Sequence, residues 1–283
     1  MPPTMKTQID IRWTEDTDQK FAGRIRQWAK AAIECPAEKN RPDRLLICIY
    51  HRMDELQAFL NKEKEALGVV SEGETEFIAI HEAWRGYPRI HICRERIENL
   101  SETVVQGAVQ HELAHGILHG SLEFYRFRFS RQLIAEGEKL GLNLQLIQLC
   151  VYLLSIALKD GEVIHQLAAK GLAPGQIALL EHMLADTDAE RDVWDKIRPT
   201  PAQRKIAIAS FMKTLLPVVK LAAEKNDAGR RLLKRWKSAY GWISETDRRQ
   251  IIRFASEAVA NTAGSFQDRL EQTAFKLITD PRL

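Results

Sequence analysis

His111-Glu112-Leu113-Ala114-His115 sets two imidazoles four residues apart, with a carboxylate directly after the first. On an α-helix, positions i and i+4 are about 40° apart in rotation and about 6 Å apart along the axis, so both rings leave the same side. Two neutral imidazoles on one face can hold a single divalent ion, for which zinc is the expected cofactor. Glu112 can reach a water on the ion's open position and act as its general base. The spacing therefore points to metal-assisted hydrolysis.

A catalytic zinc needs a third protein ligand beside an open position. His119 is nearest in sequence, but on a continuous helix it lies about 12 Å along the axis from His111, which suits a helix-end residue better than a ligand. Asp160 and Glu162 are the leading acids. Leu149, Leu153, Ile156 and Asp160 share a helix face, so an apolar stripe runs straight into Asp160. Glu136 and Glu138 remain alternatives. A donor for a developing oxyanion would come from Tyr125, Tyr152 or His165, and nothing in the sequence selects among them.

These residues need elements to hold them. A helix is expected from about Asp18 to Ile33, ended by Pro36 and the Asn40-Arg41-Pro42-Asp43 cluster. Leu45 to Tyr50 reads as a buried strand, Met53 to Leu67 as a helix stopped by Gly68, and Glu76 to Ile80 and Arg89 to Cys93 as strands of an antiparallel hairpin. Ser101 is a good N-cap for the helix that carries the histidine pair, which should run through His115 toward His119. Leu142 to Leu158 is the most apolar stretch; its Asn143, Gln145 and Gln148 and its length suit a buried core helix better than a membrane span. Helical periodicity continues to the end, with breaks at Gly141, Gly171-Leu172-Ala173-Pro174-Gly175, Pro199-Thr200-Pro201 and near Asn226-Asp227. The expectation is an α+β fold, with a mixed first half and a mostly helical C-terminal half, and with domains at 1–198 and 199–283 that can also pack as one.

A strand followed closely by this helix resembles the catalytic core of the zincin metallopeptidases, in which an edge strand lines the cleft and pairs with extended substrate. His111 to His119 is similar to the HExxHxxxH of the ImmA/IrrE-type peptidases. The segment Ser155 to Val163 is loosely similar to the E-x-E-A-D or E-x-E-A-N stretch of some gluzincin-like families; so aligned, Asp160 takes the ligand place and Glu162 the place two residues on. Ile164 departs from that pattern. The likeness covers about residues 75 to 165. It implies a zincin-like first half, a peptide or protein substrate, zinc as cofactor, and peptide-bond hydrolysis with Glu112 as base. It also allows a regulatory protein that keeps the fold without turnover and binds a protein partner through its C-terminal helices.

Composition bounds the rest. The 283 residues carry a formal charge of +3, which gives no global reason to expect nucleic acid or membrane. Arg230 to Lys237 is the densest basic run. Leu232, Leu233 and Trp236 fall there at helical spacing, so the cations belong to the outer face of an amphipathic helix. Cys35, Cys48, Cys93 and Cys150 are far apart and form no CxxC pair, which suits reduced thiols in a cytoplasmic protein. The N-terminal residues lack the apolar core of a secretory signal.

Overall fold

A computed structural model describes residues 7–13, 19–33, 42–69, 77–224 and 227–283. Asp18, Cys35, Pro36, Asn40, Arg41, Glu76 and Asn226, named above as boundaries or thiols, lie outside them. The chain has an α+β fold: four strands and twelve helices among the described residues, with the second half entirely helical. It divides into two units, residues 1–125 with 166–179, and residues 126–165 with 180–283. Residues 199–283 thus lie inside the second unit, which begins well before Pro199.

The first unit is built on a sheet of β1 (Gln8–Trp13), β2 (Arg44–Tyr50), β4 (Arg89–Cys93) and β3 (Ala79–Glu82), in that spatial order. β1 and β4 flank β2 in parallel, and β3 runs antiparallel to β4. β2 is apolar on both faces because both are covered. Leu46, Cys48 and Tyr50 pack with Leu56 and Leu60 of α2 (Met53–Leu67). On the opposite face, Leu45 and Ile90 reach Gly116 of α4 (Glu102–Leu118). Helix α1 (Gln19–Ile33) packs on α4 and buries Phe21, Ile25, Trp28, Ala29 and Ala32. Gly68 closes α2 in the left-handed region at φ 62°.

The strand that leads into α4 through the short α3 (Arg94–Ile97) is β4, and it is internal. The edge is β3, one strand further out. The register of β3 against β4 sets His81 opposite Ile90 and Ile80 opposite His91. His81 therefore shares the face that carries α4.

The second unit is a helical assembly of α5 (Arg131–Lys139), most of α6 (Leu144–Ala169), the end of α7 (Ala173–Met183), α8 (Asp188–Ile197), α9 (Pro201–Ala223), α10 (Asp227–Ala239), α11 (Glu245–Ala260) and α12 (Phe266–Thr279). Its centre is α9, on which α8, α10, α11 and α12 pack. Gly229 lets α10 lie directly on the α9 backbone, since a Cβ there would stand 2.5 Å from the Leu221 carbonyl carbon. Trp194, Phe211, Trp236, Tyr240 and Trp242 form a linked aromatic cluster, within which the Trp236 indole donates to Thr214 Oγ1 at 3.3 Å. α9 is long and apolar enough to cross a membrane by length and composition, but 67% of its most apolar window is buried inside the protein. The expected core helix over Leu142 to Leu158 begins two residues later, at Leu144, and runs on to Ala169 as α6.

Candidate metal centre

α4 starts at Ser101, whose Oγ accepts from the Val104 N–H. It ends at His119, whose N–H donates to the His115 carbonyl at 2.7 Å. Twelve of its seventeen residues are buried, so its polar side chains must find partners inside the protein. The first partner comes from α7. A Cβ on Gly107 would sit 2.1 Å from the Gly175 carbonyl oxygen, so the two backbones meet where no side chain intervenes. Val104 and Ala108 close around this contact with Leu179.

That approach lays Gln176, which is fully buried, against the histidine pair. Its Nε2 donates to the Gly107 carbonyl at 2.9 Å. A carbonyl can only accept, so the Gln176 amide oxygen is the atom turned to His111 Nδ1, at 3.0 Å. His111 therefore carries its proton on Nδ1 and its lone pair on Nε2. His115 Nδ1 faces His119 Nδ1 at 3.2 Å; with the His115 nitrogen as donor, its lone pair is also on Nε2. The two Nε2 atoms lie 3.0 Å apart. With His115 in that tautomer two lone pairs converge, as on a shared cation; with its proton on Nε2 instead, His115 donates a hydrogen bond to His111 Nε2.

Glu112 is next to this pair. Its Oε2 is 2.5 Å from His81 Nδ1, and the His81 ring lies parallel to that of His115, with centroids 4.4 Å apart and 5° between planes. Tyr125 is further off, its ring centroid 6.4 Å from that of His81. Beneath β3, on the α2 side, a buried polar network holds the strand in place. Arg89 donates to Glu82 and, at 2.7 Å, to Glu63. His91 Nε2 stands 3.1 Å from Glu82 Oε1, and Tyr50 Oη 3.3 Å from His91 Nδ1. Burial holds the His91 pKa below its ordinary value despite Glu82, so a neutral ring donates from Nε2 and accepts from Tyr50. For Glu82, burial works upward, but the hydrogen bonds from His91 and Arg89 outweigh it and keep the carboxyl below the usual range. The residue before Glu82 is His81, so the edge strand offers that imidazole to α4 from an anchored backbone.

His111, Glu112 and His115 are thus brought together, and His119 takes the helix-end place beside His115. Asp160 and Glu162 lie on α6, where Asp160 is half-buried and the Glu162 carboxylate accepts from Arg269. Glu136 is held by Lys139 at 2.7 Å, and Glu138 is exposed. His165 pairs with Glu224. Cys48, Cys93 and Cys150 are buried free thiols; burial raises Cys150 to about 12, which leaves it unreactive. Two residues escaped the sequence reading. Period-two alternation along Ala79 to Glu82 could have marked His81 as facing the helix side, whereas Gln176 carries no local signal. Comparison with known protein families, curated proteins and solved structures found no match.

Proposed function

We propose that this chain is a zinc-dependent peptidase of the zincin type. His111 and His115 hold the ion through Nε2, Asp160 is the third ligand, and Glu112 is the general base. The observation that carries this reading is the 3.0 Å approach of the two Nε2 atoms while both Nδ1 atoms have partners. Two zinc–nitrogen bonds of ordinary length at a tetrahedral angle would put their nitrogens about 3.3 Å apart. The donor set therefore fits, and Nδ1 hydrogen bonds of this kind are what orient metal-bound imidazoles.

Asp160 is preferred to Glu162 because Arg269 already engages the Glu162 carboxylate. In the alignment with the gluzincin-like stretch, Asp160 also takes the ligand place.

Held by these residues, zinc would lower the pKa of a bound water and polarise a carbonyl. Glu112, with Oε2 on His81, has Oε1 left to take a proton from the attacking water and to pass it to the leaving amine. β3 pairs with β4 alone among the described strands, so its outer side can accept an extended peptide through backbone hydrogen bonds.

The test is metal analysis joined to peptide hydrolysis. Purified wild type should carry one zinc per chain and cleave a mixed peptide library, and His115→Ala should lose both properties. Glu112→Gln should keep zinc while cleavage falls by about 10²- to 10⁴-fold. A wild type free of zinc, or a Glu112→Gln variant with full activity, would overturn the reading.

A further inference from the structure

We propose that His81, on the edge strand, is the positioning residue for Glu112, fixing one carboxylate oxygen so that the other faces the metal side of the cleft. This rests on the peptidase reading above for its kinetic consequence, but the pairing itself stands on geometry within the first unit. The His81 side chain is 14% exposed and that of Glu112 18%, so the 2.5 Å contact between Nδ1 and Oε2 is largely shielded from water. The same ring lies flat on His115. One side chain therefore touches both the base and a metal-binding imidazole, and ties their relative placement to β3.

Packing alone does not account for an imidazole here. His81 Nε2 is buried with no hydrogen-bond partner, which is an unfavourable state for a polar nitrogen. A phenyl ring could stack on His115 without leaving that nitrogen unmatched. What the imidazole adds is the bond from Nδ1 to Glu112. A glutamate turns about three side-chain bonds, and general-base transfer needs hydrogen-bond reach, about 2.6–3.2 Å, to the proton removed. Anchoring Oε2 to a strand that Arg89, His91 and Glu63 hold from beneath removes most of that freedom.

His81→Phe keeps the stacked ring and deletes the donor, and His81→Asn restores a donor near the Nδ1 position. On the zinc-loaded chain with a fluorogenic peptide library, His81→Phe should lower kcat by about 10²-fold with KM and zinc content unchanged, and His81→Asn should recover most of the loss. Unchanged kcat in His81→Phe, or equal zinc loss in both variants, would overturn the proposal. Should the wild type cleave nothing, the peptidase reading fails and the pairing is decided separately by proton NMR of the metal-free chain. A downfield imidazole N–H signal that disappears in His81→Phe and moves in Glu112→Gln would support the pairing. Absence of that signal in the wild type would refute it.

Discussion

At the scale of single residues, the centre depends on which nitrogen of each histidine carries a proton. Gln176 settles this for His111, because its amide is locked by the Gly107 carbonyl and can present only oxygen to Nδ1. Replacing Gln176 with Leu removes that acceptor while leaving both nominal ligands in place. We expect zinc affinity to fall about 10- to 100-fold, measured by competition with a chromophoric chelator, with the helical circular dichroism unchanged. Affinity equal to wild type would show that His111 is oriented without Gln176. The histidine pair and Glu112 were legible from sequence because their relation is contained in one turn of helix. Gln176 is 65 positions from His111, and His81 is 31 from Glu112; no local pattern links such pairs.

At the scale of elements, α2 and β4 fall where periodicity and Gly68 put them, Met53–Leu67 and Arg89–Cys93. β3 is displaced. The apolar run suggests Glu76 to Ile80, whereas the strand is Ala79–Glu82, because its register is decided by pairing with β4, ending at Glu82 opposite Arg89. β1 went unread: Gln8 to Trp13 has three polar residues among six, and its partner β2 supplies what its composition does not. The meeting of α4 with α7 is the most constrained contact near the centre. Gly107→Val would drive a side chain into the Gly175 carbonyl, 2.1 Å from the Cβ position. Overpacking of this sort costs about 1–3 kcal/mol and pushes Gln176 away from His111. Denaturant melts should show the loss of stability, and zinc titration a weakened site; a variant with wild-type midpoint and affinity would contradict the tight approach.

At the scale of the whole molecule, pH dependence offers a check on the second unit. Lys205 is 4% exposed, and its ammonium donates to the Asp280 carbonyl at 2.6 Å. Burial lowers its pKa to about 8, with Asp280 opposing the shift only in part. Below pH 8 both folded and unfolded chains hold the proton, and the cost of burying the charge is fully present. Between pH 8 and about 10.5 the unfolded chain binds more protons, so stability rises with pH. Lys205→Met should flatten that rise and raise stability near pH 7 by up to about 3 kcal/mol, read from urea midpoints at pH 7 and pH 10. Identical slopes in the two proteins would exclude Lys205 as the source.

What the amino-acid order by itself determined was everything carried by short-range geometry: the helix that aligns His111 with His115, the cap at Ser101, the stop at Gly68, and the helical run after Gly141. Rise and rotation per residue are properties of the backbone and need no distant partner. Only the tertiary structure decided that β3, not β4, is the edge, that His81 holds Glu112, and that Gln176 orients His111. Those relations arise when two glycine backbones touch and a sheet register closes, and each joins residues whose separation along the chain bears no relation to their distance in space.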